Sequence, residues 1–494
     1  MNEVTGEKGR RACPAPERSE WCRGEGEKWV TGGMFVKYFS CPHWLYFDVY
    51  GDPEKRGAST PFSEMLIERG FIHEEKIING LEFETVGEGS LEERFGRTIE
   101  LMKRGVERIY HGILMDGDMV GEPDLLERSN AASSDFGAYH YRATDIKSAE
   151  RLTDAMRLQL AFYGDLLARV QGTRPAEGQV LNGSGVRIGF LLEEVDDLYP
   201  RVLGEIRGVL GGKMPEPRVS SGCKQSPWFR ECVALAQKSR DVTLIYNVKM
   251  KDIVRLRELG VRTIDDVAQL DIDDLRGREP GFRRDKLERI KLQARSLIEN
   301  RHFFREDIVL PETGMDVFFD IEGDPLRSFE YLFGFWVRDS YGERYEYQMA
   351  ESPAEEEKMW REFLGWIGAL PADYAVYHYG TYEKACLNTL EGKYGGAPAL
   401  EAFRERMIDL NGVVKEAVVF PLLFYGIKDI GNYIGFMRQG GISGGGESVA
   451  WFERWLSTKD RSALEEIIKY NRDDVIATRE LKDWLVAESG KPRE

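Results

Sequence analysis

Four side chains in the C-terminal part of the chain have the types and spacing of a divalent-metal site. Asp320 and Glu322 lie at the end of an apolar run. They are two residues apart, so on a strand their side chains share one face. Tyr470 and Asp474 are four residues apart and share one face of a helix. Mg²⁺ and Mn²⁺ prefer carboxylate oxygens, and two such ions stabilise the attacking and leaving oxygens in phosphodiester hydrolysis. The pattern predicts a nuclease site; the alternative is an ordinary strand end and helix surface.

These residues resemble the ribonuclease H-like DEDD family of 3′–5′ exonucleases, in its tyrosine-bearing subtype. The Asp-x-Glu strand motif of that family matches Asp320 and Glu322, and its Tyr-x-x-x-Asp motif matches Tyr470 and Asp474. The middle aspartate of the family, on a helix after a second strand, corresponds to Glu383, a longer carboxylate. The resemblance implies a site for two Mg²⁺ or Mn²⁺ ions. We expect Asp320 to end the central strand and bridge both ions, and Tyr470 to orient the attacking water.

A second set of candidate residues lies in the N-terminal half of the chain. Asp145 and Lys147 flank a single apolar residue, so on a strand their side chains project together. Carboxylates and a histidine can hold Mg²⁺ or Mn²⁺, while a lysine polarises the attacking water and steadies the charge on phosphorus. The set consists of His73, Asp124, Asp145, Lys147, Gln159 and Tyr163.

This second set resembles the RecB-like branch of the PD-(D/E)XK superfamily, which includes the CRISPR-associated iron–sulfur exonucleases. The histidine, the two acidic positions and the lysine of the branch match His73, Asp124, Asp145 and Lys147. Its Gln-x-x-x-Tyr motif matches Gln159 and Tyr163. The resemblance implies a second nuclease centre; the alternative is a surface histidine and a salt-bridged strand.

Three cysteines have the order of an iron–sulfur segment. The iron–sulfur members of the RecB-like branch carry one cysteine before the nuclease core and three after it. Here Cys41 precedes the core, Cys223 and Cys232 follow it, and Ser226 stands where the middle cysteine is expected. A four-iron cluster normally takes four thiolates. We therefore expect a lost or labile cluster, unless another ligand takes part.

The remaining cysteines and the composition indicate the compartment. Cys13 and Cys22 could replace the missing ligand, and Cys386 fits a buried helix position. Six cysteines in 494 residues do not suggest a disulfide framework. The chain lacks a run of about 18 apolar residues and an apolar N-terminal signal core, so neither a membrane span nor secretion is expected. The composition favours a cytoplasmic protein.

The formal net charge of −17 argues against a protein that simply coats nucleic acid. A nuclease remains compatible with it, because metal ions neutralise catalytic carboxylates and a local basic patch can suffice. Residues 249–305 carry 15 Lys and Arg against 11 Asp and Glu. They form a candidate basic patch or, equally, a charged helical surface.

The fold class that we predict is multidomain α/β. It consists of a restriction-endonuclease-like α/β core, a helical linker module and a ribonuclease H-like α/β domain. The predicted segments are a disordered tail (1–30), a RecB-like nuclease domain (31–215), a cysteine-containing connector (216–240), a helical module (241–305) and a DEDD exonuclease domain (310–490).

Within the helical module, residues 256–270 resemble a helix–hairpin–helix element, with Thr263 as the N-cap of the second helix. Such elements bind the DNA backbone through the amides of the turn. A helical spacer between two catalytic domains is an equal alternative. Residues 440–446, which are rich in glycine, are interpreted as a loop.

The domain order resembles the two-nuclease RecB-family proteins of bacteria and archaea. It implies a metal-dependent nuclease that acts on nucleic acid, DNA rather than RNA, at single-stranded ends in repair or defence. The alternative is a nucleic-acid-binding scaffold in which one or both sites have decayed; Glu383 and Ser226 are the residues that support it. No membrane partner is expected, and the sequence identifies no protein partner.

Overall fold

The computed structural model describes residues 28–442 and 444–489. These residues form two compact units, one of residues 28–59 and 63–234 and the other of residues 60–62 and 235–489. Most of the predicted N-terminal tail, with Cys13 and Cys22, lies outside the described residues. The last residues of the predicted tail are folded: Val30 is fully buried and pairs with Met119.

The N-terminal unit combines short strands with helices. Its strands are β1 (Val30–Thr31), β2 (Glu84–Thr85), β3 (Arg108–Tyr110), β4 (Leu114–Asp116), β5 (Met119–Gly121), β6 (Leu125–Ser129), β7 (His140–Ile146), β8 (Glu177–Leu181) and β9 (Arg187–Leu191). Its helices are α1 (Gly32–Ser40), α2 (Pro42–Tyr50), α3 (Pro61–Ile78), α4 (Leu91–Lys103), α5 (Asp154–Gln171), α6 (Tyr199–Leu210) and α7 (Phe229–Lys238). The first residues of α3 and the last residues of α7 are assigned to the other unit.

A six-stranded sheet with the order β2-β3-β6-β7-β8-β9 is the frame of this unit. Strand β7 is antiparallel to β6 and parallel to β8, and α5 makes the crossover between β7 and β8. The Thr153 hydroxyl caps α5 by accepting from the Met156 amide, and Gly172 ends the helix in the left-handed conformation. Helix α5 packs on β7, so both chain segments that carry candidate residues meet at one core.

The C-terminal unit has longer strands and one long helix. Its strands are β10 (Phe303–Phe304), β11 (Asp316–Asp324), β12 (Phe329–Asp339), β13 (Gly342–Met349), β14 (Ala375–His378), β15 (Met407–Asp409) and β16 (Val418–Val419). Its helices are α8 (Met250–Glu258), α9 (Ile264–Ala268), α10 (Ile272–Arg278), α11 (Arg284–Glu299), α12 (Glu356–Gly368), α13 (Tyr382–Tyr394), α14 (Pro398–Glu405), α15 (Leu410–Ala417), α16 (Ile427–Tyr433), α17 (Gly445–Thr458) and α18 (Arg461–Ser489).

The central sheet of this unit has the order β13-β12-β11-β14-β15. The first three strands form an antiparallel meander, and β14 and β15 run parallel to β11. Helices cover both faces, so β11 and β12 are buried along most of their length, even though β11 carries four acidic residues. The 29-residue helix α18 packs along both strands. The prediction that Asp320 ends the central strand is wrong, because β11 continues through a bulge to Asp324.

The predicted multidomain α/β class is confirmed by these two units. In the part of the chain that the structure describes, no helix combines the length and the low polarity needed to cross a membrane.

Candidate metal centres

The C-terminal unit brings three carboxylates together between a strand and a helix. Asp320 and Glu322 are two residues apart on β11, and Asp474 comes from α18. One oxygen from each side chain lies within 4.8 Å of the others. Glu322 and Asp474 are buried, and Asp320 is half-buried. These three predicted ligands therefore converge, although they are about 150 residues apart along the chain.

The electrostatics of this group call for cations. Burial and then the charge of Glu322 raise the pKa of Asp320 well above its ordinary value. Burial and then Asp474 raise the pKa of Glu322 to about 8. Adjacent carboxylates ionise together only when positive charge compensates them. Because every donor in the group is a carboxylate oxygen, the group fits Mg²⁺ or Mn²⁺ better than a softer metal.

Asn471 fixes the orientation of the first carboxylate. Its Nδ2 donates to Asp320 Oδ2 over 2.7 Å, and its Oδ1 accepts from the Tyr345 hydroxyl over 2.8 Å. This amide lies directly over Gly334, which pairs with Asp320 on the neighbouring strand. A Cβ added at Gly334 would stand 1.5 Å from Asn471 Oδ1. The glycine is therefore needed for the close approach of α18 to β12.

Tyr470 is buried next to the carboxylates and contacts two cations. The Lys428 Nζ lies 4.4 Å from the centre of its ring, and the Arg438 guanidinium lies 5.0 Å from it. Arg438 also donates to Asp474 Oδ1 over 2.5 Å and to the Tyr470 carbonyl over 3.3 Å. Burial raises the pKa of Tyr470 far above its ordinary value, so its hydroxyl keeps the proton. The sequence patterns did not identify either cation.

Asp473 holds the segment that carries Arg438. Its Oδ2 accepts from the backbone amides of Gln439 and Gly440, each over 2.8 Å. Asp473 is therefore a positioning residue, although it precedes Asp474 directly in sequence. The glycine-rich residues 440–446 are in part the predicted loop, but α17 already begins at Gly445.

Glu383 occupies the second position of α13, after β14, as the resemblance implies. It is buried and pairs with the buried His378, whose Nδ1 lies 3.2 Å from Glu383 Oε2. Its charge contributes to the raised pKa of Asp320, so it lies near the carboxylate group. It is not one of the three residues whose oxygens cluster within 4.8 Å.

In the N-terminal unit, Lys147 joins two of the predicted acidic residues. Its Nζ lies 3.1 Å from Asp145 Oδ2 and 3.6 Å from Asp124 Oδ2. Burial and then Asp145 raise the pKa of Asp124 to about 7. Asp145 Oδ1 is buried and accepts no hydrogen bond from the described residues. An orphaned carboxylate oxygen beside a second acid fits a hard divalent cation.

The structure adds two residues to this site that the sequence motifs did not supply. One ligand atom each from Glu74, His111 and Asp124 lies within 4.8 Å of the others. In this group His111, not His73, provides the imidazole; the Nε2 atom of His73 is buried without a hydrogen bond among the described residues. His111 has a left-handed backbone with φ of 51°, a strained geometry for a non-glycine residue that often marks a functional site. Glu74 directly follows His73 in the sequence, so the motif that includes His73 could have indicated it.

Gln159 and Tyr163 meet on one face of α5. The Gln159 Nε2 donates to the Tyr163 hydroxyl over 3.0 Å, and that hydroxyl lies 3.5 Å from the Glu122 carbonyl. Burial and then Asp145 raise the pKa of Tyr163 well above its ordinary value. The predicted pair therefore lies beside the acidic residues, as a buried hydrogen-bond network.

The three cysteines of the predicted segment also converge. Cys41, Cys223 and Cys232 are each 1% exposed, and the first two sulfurs are 3.9 Å apart. A hydrogen bond with Cys41, followed by burial, raises the pKa of the Cys223 thiol. Ser226 is buried, and its hydroxyl accepts from the Trp228 amide over 3.1 Å. The described residues thus bring together three thiols, and whether they hold a cluster stays a prediction. Cys386 is a buried residue of α13, as expected.

In the helical module, a turn joins α8 to α9, and many of the cations pair within the module. Thr263 caps α9 in a capping box with Asp266, and Gly260 turns the chain with φ of 84°. The internal ion pairs include Arg255 with Glu279, Arg257 with Asp241, Lys286 with Asp252, Arg283 with Asp285 and Arg284 with Asp273. These pairs favour a charged helical surface over a strongly basic patch.

Comparison with known proteins identifies the type of the C-terminal domain. Residues 317–486 match the family model of the RNase_H superfamily. The matched stretch begins three residues before Asp320 and ends twelve residues after Asp474, so it contains all five residues of the predicted C-terminal site. No curated protein sequence matches the chain. The C-terminal domain is RNase H-like, a nuclease-type fold that acts on nucleic acid.

Proposed function

We propose that this protein is a divalent-metal-dependent nuclease, and that its RNase H-like domain hydrolyses phosphodiester bonds at the ends of single-stranded DNA. The observation that carries the proposal is the group of Asp320, Glu322 and Asp474, whose oxygens lie within 4.8 Å of one another inside the matched region. Exonuclease action, DNA rather than RNA, and a place in repair or defence follow from the resemblance in sequence.

The protein's own residues have separate tasks in this proposal. Asp320, Glu322 and Asp474 hold Mg²⁺ or Mn²⁺, and Asn471 fixes the rotamer of Asp320. When bound, the ions supply Lewis-acid stabilisation of the attacking and leaving oxygens. Tyr470, which keeps its proton, donates a hydrogen bond to the attacking water and orients it.

The test is an incubation of the purified full chain with end-labelled single- and double-stranded DNA and RNA, in Mg²⁺, Mn²⁺ or EDTA. We expect metal-dependent shortening of single-stranded DNA. Asp320→Asn should reduce cleavage by this domain by about 10²-fold or more, the scale on which one preorganised charge acts. It should also abolish Mn²⁺ uptake by the C-terminal domain. Cleavage in EDTA, or full Mn²⁺ uptake by Asp320→Asn, would refute the assignment.

A second nuclease centre of the RecB-like type is proposed for the N-terminal unit. It rests on the contacts of Lys147 with Asp145 and Asp124 and on the orphaned Asp145 oxygen. In this site Asp124 and Asp145 hold the metal and Lys147 polarises the attacking water. The sequence resemblance adds His73, Gln159 and Tyr163 to the set. In the structure, Glu74 and His111 are the residues whose ligand atoms lie within 4.8 Å of Asp124.

A non-catalytic scaffold is the competing proposal. Its support is the substitution of Glu383 for the expected Asp and the incomplete cysteine set. A scaffold would bind nucleic acid without taking up Mn²⁺ at the carboxylates, so a Mn²⁺ titration of the wild-type chain separates the two proposals.

A further inference from the structure

Two cations stand against the acidic group of the RNase H-like domain. Lys428 lies on α16, and Arg438 follows that helix in the segment pinned by Asp473. Both contact the ring of Tyr470, at 4.4 and 5.0 Å from its centre. The ring of Tyr470, on α18, thus contacts two positively charged side chains and lies next to the three carboxylates.

The Lys428 ammonium group is available to bind an anionic ligand. Its Nζ is buried and makes no hydrogen bond with the described residues. A buried ammonium without hydrogen bonds is costly, and an aromatic face offsets only part of that cost. Burial lowers the pKa of Lys428 to about 8; the charges of Asp474, Glu322 and Glu447 oppose this shift, and the charge of Arg438 adds to it.

Arg438 has a partner that it must share. Its Nη1 bonds to Asp474 Oδ1 over 2.5 Å, but Asp474 is also one of the three clustered carboxylates. A divalent ion on Asp474 competes with the guanidinium for the same oxygen. The Arg438 Nε is itself buried without a hydrogen bond among the described residues. The fork of an arginine that leaves a carboxylate suits the two oxygens of a phosphate.

We propose that Lys428 and Arg438 form the phosphate-binding side of this site, and that Arg438 exchanges Asp474 for a substrate phosphate when metal ions bind. The inference rests on the proposed nuclease function and names the groups that hold the scissile strand. It would give a chain of net charge −17 a local point of attraction for a polyanion, since both cations lie against Tyr470, next to the carboxylate group.

The exchange predicts opposite effects of one substitution on two ligands. In Arg438→Gln, Mn²⁺ affinity without nucleic acid should rise severalfold, because the competing guanidinium is gone. The affinity for a short fluorescein-labelled oligothymidylate should fall about tenfold in Ca²⁺ and little in EDTA, where Asp474 holds the arginine in the wild type. Lys428→Gln should lower oligonucleotide affinity in both conditions. In each variant the slope of log affinity against log salt should decrease by about 0.7 per lost phosphate contact.

The matched control is Lys469→Gln, on α18 beside Tyr470, where the lysine is exposed and paired with Glu466. It removes one positive charge without touching the site and should leave both affinities within about twofold. Arg438→Lys keeps the charge but loses the fork, and should recover part of the binding. Thermal unfolding of all variants monitors folding.

The proposal is overturned if Arg438→Gln and Lys428→Gln bind the oligonucleotide in Ca²⁺ as the wild type does. It is also overturned if Lys469→Gln loses as much affinity as they do. Because binding is measured without cleavage, these outcomes differ from failure of the nuclease function, which appears as absent metal-dependent cleavage by the wild type.

Discussion

At the residue scale, Tyr470 offers the most direct test of the chemistry of the C-terminal site. It shares α18 with Asp474 and sits against Lys428 and Arg438, but a neutral phenol is a poor metal ligand and a good hydrogen-bond donor. Its contribution should therefore fall on turnover and not on metal binding.

We expect Tyr470→Phe to slow cleavage by about 10²-fold, the usual range for a lost positioned proton donor. Mn²⁺ affinity should stay within about twofold of the wild type, since none of the three carboxylates changes. Single-turnover cleavage and a Mn²⁺ titration measure the two effects separately. A loss of Mn²⁺ binding would mean that the hydroxyl supports the metal ligands directly.

Glu383 allows a test of whether the site has decayed. Shortening it by one methylene in Glu383→Asp withdraws the carboxylate from His378, now 3.2 Å away and fully buried. We expect a loss of roughly 1–3 kcal/mol in the free energy of unfolding, because the buried imidazole loses its partner. Cleavage should also fall.

The matched variant for that test is Glu383→Gln, which preserves the length and can accept from His378. It should retain most of the stability in urea unfolding while cleavage falls with the lost charge. Higher activity in Glu383→Asp than in the wild type would instead indicate a decayed site that the original Asp restores.

The residues found from sequence and those missed differ in one physical respect. Asp320, Glu322 and Asp474 follow the alternation of a strand and the turn of a helix, so local pattern and family order suffice. Arg438 and Lys428 reach the site from an irregular segment and a short helix, where no period constrains the side chain. His111 likewise enters its group through a left-handed backbone that no local pattern announces.

At the scale of elements, the contact between β12 and α18 sets the geometry of the carboxylates. The contact depends on Gly334, over which Asn471 lies while it holds Asp320. The order of strands and helices around this contact could be predicted, because β11 and α18 have strong apolar patterns. The bulge after Glu322 could not, because it depends on pairing with β12.

We expect Gly334→Ala to lower the free energy of unfolding by roughly 1–3 kcal/mol, the usual cost of overpacking a dense core. It should also weaken Mn²⁺ binding, because Asn471 can no longer hold Asp320 in place. Urea unfolding and a Mn²⁺ titration provide the readouts. Gly365→Ala is the control: it lies exposed on α12 with open space around the added methyl, and should be neutral or stabilising. Equal effects at the two glycines would contradict this explanation.

The cysteine segment supports an expectation of its own. Ser226 accepts a backbone hydrogen bond where a fourth thiolate is expected, so the described residues bring three thiols to this segment, Cys41, Cys223 and Cys232. Protein purified without oxygen should contain well under about four irons per chain, the content of a complete cluster. Iron and acid-labile sulfide assays measure this directly. A full complement of both would require a non-cysteine ligand near Ser226, or Cys13 or Cys22.

At the scale of the whole molecule, the two candidate centres belong to different compact units. The family match covers the C-terminal domain, whereas the N-terminal centre rests on motif order and on the contacts of Lys147. Division into α/β units could be predicted from alternating strand and helix patterns.

Separate substitutions can apportion activity between the units. We expect Asp145→Asn and Asp320→Asn each to leave part of the metal-dependent cleavage, and the double variant to leave about 10²-fold less than the wild type or lower. Cleavage of end-labelled DNA by all three measures this. Undiminished cleavage by the double variant would mean that neither centre is responsible for the activity. Full loss in one of the single variants would mean that only one of the two units is active.

The long helix α18 has a consequence for how this domain tolerates insertions and deletions. Tyr470, Asn471, Asp473 and Asp474 serve four different contacts within five consecutive residues. One residue inserted between Arg461 and Tyr470 turns everything after it by about 100° and advances it by about 1.5 Å. All four contacts then fail together, whereas a length change before Arg461 leaves the helical phase intact. Homologous chains should therefore vary in length before this helix, and they should keep a constant number of residues from its first turn to the two aspartates.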